Sequence, residues 1–140
     1  MNTNAWKSLW NQPVFSAILG ERRAAAVLAG LGVVYIGLNL AGLSFWSCPI
    51  LSATGVPCPG CGLTRAVMQL LHGDVAASLQ THAFAPVALA ALLLMVLALV
   101  LPEPARAKMI GFIRGLETRN GLAAWGGLLW MLYWAARLLV

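Results

Sequence analysis

Charge is what this chain has least of. Only 9% of its 140 residues are charged, and four are acidic: Glu21, Asp74, Glu103 and Glu117. A soluble fold of this length needs far more charge on its surface. A composition that is 61% hydrophobic, with mean hydropathy +0.83, therefore excludes an ordinary soluble domain. The chain has no carboxylate pair, Ser-His-Asp arrangement, phosphate-binding glycine loop or dinucleotide fingerprint. It also lacks a basic run: the net charge of +5 comes from Lys and Arg scattered beside apolar segments. That pattern excludes a nucleic-acid surface and fits topology signals and contacts with anionic headgroups.

Long apolar runs and tryptophan are what the chain does have. Six indoles fit a membrane interface, where an apolar ring with one polar edge is favoured. Residues 1–23 form an N-terminal cytoplasmic or interfacial segment. Within it, Asn4 to Leu19 suits a helix in the headgroup plane, with Trp6, Trp10 and Phe15 in lipid and Glu21, Arg22 and Arg23 closing it. No small-residue cleavage site follows the apolar run, which argues against a cleaved leader. Residues 24–45 then carry no charge, enough to cross a ~30 Å hydrocarbon core at ~1.5 Å per residue. Gly30, Gly32 and Gly37 predict close packing of this span on a neighbour, and Asn39 predicts an interhelical hydrogen bond.

Residues 46–82 are a cysteine-bearing loop. Leu63 to His72 predicts a short amphipathic helix with Leu63, Val67, Leu70 and Leu71 on one face, ended by Gly73. Asp74 predicts an N-cap for a second short helix from Val75 to about Leu79. Both are too short to span, which places them at the surface or shallowly re-entrant. Residues 83–101 form a second apolar span, 102–120 a polar cytoplasmic connection with some helix, and 121–140 a third span in which Arg137 snorkels to the headgroups. The expected fold is thus an all-α integral membrane protein with three transmembrane helices. Lys7, Arg22 and Arg23 before the first span, and four basic residues after the second, put the N-terminus in the cytoplasm. The cysteine loop then faces the periplasm or exterior, an oxidising compartment.

All three cysteines lie in that loop, as Cys48 and Cys58-Pro-Gly-Cys61. The two-residue spacing serves thiol redox motifs and metal knuckles alike. A helix beginning just after Cys61 would favour thiolate there, and Arg65, one turn on, would add positive potential. A redox site would use Cys58 and Cys61, with Cys48 as a third exchange partner. A metal site would use Cys48, Cys58 and Cys61, with His72 or His82 as a fourth ligand, although a closed zinc site usually shows two such pairs. The bland alternative is a disulfide that staples the loop and leaves one cysteine over. Gly60, Gly62, Thr64, Arg65, Gly73 and Asp74 are expected to be structural, with Arg65 pairing with Asp74 or a lipid phosphate.

Cys48-Pro49, the string Thr54-Gly55-Val56-Pro57-Cys58-Pro59-Gly60-Cys61-Gly62-Leu63-Thr64-Arg65-Ala66, and His72-Gly73-Asp74 with Ala76-Ala77 closely resemble a family of small bacterial membrane proteins. That family is known only as a domain of unknown function, and the resemblance covers residues 46 to 100. Where the family commonly has Asn-Pro before the next span, this chain reads Thr81-His82-Ala83, bringing a histidine near the site. The resemblance implies a protein of the bacterial inner membrane and no particular activity.

The functional expectation is a non-enzymatic accessory or assembly subunit of a membrane complex, with a structural or metal-bearing cysteine loop. Its partners would be the bilayer and other membrane subunits, with no nucleic acid. The alternatives are a thiol–disulfide exchanger using Cys58 and Cys61, and a zinc, copper or iron carrier or sensor using Cys48, Cys58 and Cys61.

Overall fold

The computed structural model describes residues 11–43 and 48–139. Expectations that fall on Trp6, Trp10, the end of the first span at Phe45, and Val140 lie outside the described residues. Among the described residues eight helices follow one another: α1 Val14–Gly20, α2 Arg22–Leu40, α3 Pro49–Thr54, α4 Leu63–Leu71, α5 Val75–Thr81, α6 Ala85–Val100, α7 Glu103–Asn120 and α8 Leu122–Leu139. There is no strand among the described residues. The described chain is all-helical.

Two of these helices, α2 and α8, are long and apolar enough to cross a membrane. The expected span at 83–101 is the third candidate. Its helix, α6, has 16 residues and reaches only ~24 Å at ~1.5 Å per residue, short of a ~30 Å core. It qualifies only together with α5, from which it is bent by 104°. The break falls at His82-Ala83-Phe84, so α5 and α6 form either one broken span or a re-entrant turn. The connection at 102–120 is helical almost throughout, because Pro102 precedes α7 with Pro104 in its first turn, and Gly121 ends it at φ +60°.

Contacts group the chain into two compact units, Met1–Ala29 with Leu94–Leu129, and Gly30–Leu93 with Trp130–Val140. In the first unit, α1 is held at both ends by α7. The Glu117 carboxylate accepts from the Phe15 and Ser16 amides at 2.7 and 2.9 Å, at the start of α1. At the other end, Arg106 donates through Nη2 to the Leu19 and Gly20 carbonyls, each at 2.8 Å. The charges match the helix macrodipole, anion at the N-terminus and cation at the C-terminus, and each satisfies orphan backbone groups. Glu117 and Arg106 are both buried. Arg22 also meets Glu103 at 3.2 Å, an exposed pair of small worth.

In the second unit, α4 and α5 pack as a helical hairpin; Ala66 and Val67 of α4 form a buried cluster with Ala85 at the start of α6, and Ile36, Leu63 and Leu89 pack around them. Ser78, fully buried, donates to the Ala66 carbonyl at 2.7 Å and joins the two short helices. Gly73 takes φ +87° between them, a conformation glycine adopts without penalty. Asp74 caps α5 by accepting from the Ala77 amide at 3.0 Å. Asp74→Ala should lose ~1 kcal/mol, seen as faster hydrogen exchange at Ala77 with the α8 amides unaffected.

Of the three glycines expected to mark packing, only Gly32 meets a neighbour. A Cβ there would sit 2.8 Å from Leu92 Cδ1, whereas nothing lies within 4 Å at Gly30 or Gly37. Asn39 also departs from expectation. Its amide donates to the Tyr35 carbonyl in its own helix at 2.8 Å, not to another helix. An amide four residues on from a carbonyl reaches it without help from any neighbour.

Candidate metal centre

Cys48 stands at the N-cap of α3, directly before Pro49. A short helix begins there because proline's fixed φ and missing donor suit its first position. The helix ends at Gly55, φ +71°, which turns the chain into Val56-Pro57. Cys58 to Cys61 then folds back on itself. The Cys61 amide donates to the Cys58 carbonyl at 3.0 Å, and the Cys58 amide points at Cys61 Sγ at 3.2 Å. Gly62 adopts φ +89° with Thr81 beside it, and α4 begins at the next residue. Any other residue at 62 would strain this turn.

The outcome is three sulfurs, from Cys48, Cys58 and Cys61, all within 4.8 Å of one another and each on a half-buried residue. Cys61 Sγ donates to Cys58 Sγ at 3.1 Å. A tetrahedral or trigonal ion with metal–sulfur bonds of ~2.3 Å holds its sulfurs a little under ~4 Å apart. The three thiols are therefore already gathered at single-ion spacing.

Helix α8 supplies what holds the loop. Trp134 Nε1 donates to the Pro57 carbonyl at 2.8 Å, Trp130 Nε1 to the Pro59 carbonyl at 3.2 Å, and Arg137 Nη1 to the Cys61 carbonyl at 2.9 Å. Tyr133, on the same face, accepts from the Ala83 amide at 3.2 Å. The Arg137 guanidinium lies 5.7 Å from its ring centre, within cation–π range. The spacing 130, 133, 134, 137 is one helical stripe. The sequence reading assigned Arg137 to the headgroups and took the tryptophans as interfacial. What it missed was visible as that stripe, four side chains with polar tips on one face of an otherwise apolar helix.

The histidines are placed apart from the sulfurs. His82, fully buried, bonds the Pro59 carbonyl through Nε2 at 3.0 Å and accepts from the Phe84 amide at Nδ1, 3.3 Å away. Both its ring nitrogens are engaged by the backbone. His72, exposed, bonds the Met68 carbonyl through Nδ1 at 2.7 Å. Neither offers an atom to the sulfur cluster. Arg65 is exposed and, among the described residues, has no ion-pair partner, since Asp74 serves as a helix cap. Thr64 reaches Tyr35 Oη at 3.5 Å, and Gly60 has open space where a Cβ would stand.

The thiols differ in acidity, and not in the expected order. Cys48 is drawn down to about 7, first by the Leu51 amide aimed at its sulfur and then by the Cys58 and Cys61 thiols. Cys61 is pushed up to about 11, first by desolvation and then by its contacts with the other two sulfurs. The helix whose amide favours thiolate is thus the one after Cys48, while desolvation raises Cys61. Alkylation of the reduced, metal-free protein should label Cys48 first. Its rate should rise through pH 7 and level off above pH 8, with Cys61 the slowest, as read by site-resolved mass spectrometry.

Set against known proteins, no curated sequence and no solved structure matches the chain. Residues 48–96, from Cys48 into α6, match the family described as a protein of unknown function (DUF2752).

Proposed function

We propose that this protein holds one thiophilic metal ion in a membrane-bound tri-cysteine site and serves a larger membrane complex as an accessory or assembly subunit. The observation that carries the reading is the gathering of Cys48, Cys58 and Cys61 sulfurs within 4.8 Å. Thiolates select soft or borderline ions such as Cu(I) and zinc, and three protein ligands leave a coordination position through which an ion can be exchanged. The bias of basic residues supports a loop on the outer face of a bacterial cytoplasmic membrane. Apolar helices that bury little of themselves, with no buried residue on α8, support lipid and partner subunits as their neighbours.

The test is metal analysis of gently extracted protein, with intact mass before and after thiol blocking. One equivalent of metal with all three thiols protected supports the reading. A metal-free protein with three freely blocked thiols sinks it. A second reading, thiol–disulfide exchange, is favoured by the 3.1 Å approach of Cys58 and Cys61 Sγ. A metal-free Cys58–Cys61 disulfide in the same experiment would select it.

A further inference from the structure

Every carbonyl from Pro57 to Cys61 is engaged by a donor. The Pro57 oxygen takes Trp134, Cys58 takes the Cys61 amide, Pro59 takes both His82 and Trp130, Gly60 takes the Leu63 amide, and Cys61 takes Arg137. Carbonyl oxygens beside the sulfurs are hard donors, which suit harder ions than Cu(I). Here they are turned to α8 and His82. The Cys48 carbonyl is likewise occupied, by the Ser52 amide at 3.0 Å. His82 has both nitrogens committed, and Asp74 is committed to its cap.

From this we infer that the site is built for a soft monovalent d10 ion, Cu(I), bound by sulfur alone in three-coordinate geometry. Trp130, Trp134, Arg137 and His82 act as positioning residues that withdraw the competing oxygen and nitrogen donors. The inference rests on the metal reading above and adds the ion class and its determinants. Three sulfurs complete the shell of Cu(I), whereas zinc takes four ligands and here would have to draw its fourth from water. On binding, the thiol protons leave to solvent and three sulfur–metal bonds form. No electron moves. The half-buried sulfurs leave a route by which the ion can pass to another thiolate site.

The experiment uses the full chain, reduced, in mild detergent, titrated with Cu(I) alone and with Zn(II) alone against competing chelators, with X-ray absorption on each loaded form. Cu(I) should bind at one per chain with three sulfur neighbours and no nitrogen or oxygen. Trp134→Phe keeps the ring and removes the donor, so it should weaken Cu(I) by ~10-fold, the scale of outer-partner effects on metal affinity. Zn(II) should stay level or tighten, so that the ratio of the two affinities falls. Trp130→Phe should shift the ratio in the same direction but less, because His82 still serves Pro59. Arg137→Gln should shift it, and Arg137→Lys should restore most of it. Helical content and thermal melting identify any variant that fails to fold, and the Trp130 and Arg137 variants decide the matter if the Trp134 variant does. Nitrogen or oxygen in the Cu(I) shell, or an unchanged ratio in folded variants, overturns this inference and leaves the metal site standing. A wild-type chain that binds neither ion removes the site and the inference together.

Discussion

Cys58→Ser is expected to abolish metal retention, lowering affinity by more than the ~100-fold that loss of an outer partner can cause. Cys58 is central to the cluster. Its sulfur receives the Cys61 thiol, and its backbone amide points at Cys61 Sγ. Serine keeps the amide and nearly the volume but replaces a soft thiolate with a hydroxyl that stays protonated and hard. Two sulfurs then remain, too few to close a three-coordinate shell. Cys48→Ser should be comparably severe, because it removes the third sulfur and the thiol most easily deprotonated. The helices should survive both changes, since the core around α4 is built from Ala66, Val67 and Ala85 and includes no cysteine. The check is metal stoichiometry by elemental analysis beside far-ultraviolet circular dichroism. Retained metal at one equivalent in Cys58→Ser would show that the cluster is not the site.

How much of this was legible in the sequence follows from what each signal depends on. Local signals read well. Gly73 and Asp74 act through their own backbone and one amide three residues on, and both stand where the sequence puts them. The gathering of the cysteines was half legible: Cys58 and Cys61 are neighbours by spacing, whereas bringing Cys48 to them depends on α3 and the Gly55 turn. Acidity was misread because a helix terminus is a local cue and desolvation is not. The start of α4 is where the sequence implies, but desolvation raises Cys61. Least legible were the contacts across the fold. Trp130, Trp134 and Arg137 reach carbonyls more than 70 positions away. Nothing in the order of residues says which loop a polar-tipped stripe will meet. The span count shows the same limit. Residues 83–101 are apolar enough, but the helix starts late at Ala85, after a turn in which His82 and Tyr133 hold the backbone. Hydropathy sees the composition and not the bend.

The two buried charges of α7 illustrate that limit from the energetic side, and they lead to the second large effect. Glu117→Ala is expected to release α1 from α7 while leaving the rest of the protein folded. A seven-residue helix has little stability of its own, so α1 persists because its ends are tied. Glu117 satisfies two amides that would otherwise be orphaned, Phe15 at 2.7 Å and Ser16 at 2.9 Å. Hydrogen bonds to a charged group contribute ~1.5–3 kcal/mol each, and a donor left buried without one costs a comparable amount. Rehydration of the freed amides offsets part of that sum, so a loss of ~3 kcal/mol is a reasonable expectation. That corresponds to ~100-fold more frequent local opening. Arg106→Ala should act at the other end, freeing the Leu19 and Gly20 carbonyls. Because both variants open the same segment, the double variant should cost less than the sum of the two. Glu117→Gln should fall between, since an amide oxygen can still accept one bond while its nitrogen faces a donor. Hydrogen exchange at residues 14–20 reads all four, with the α4–α5 hairpin as the internal control. Unchanged protection at 14–20 in Glu117→Ala would show that apolar contact alone holds α1 in place, with the ion-tied ends contributing nothing measurable.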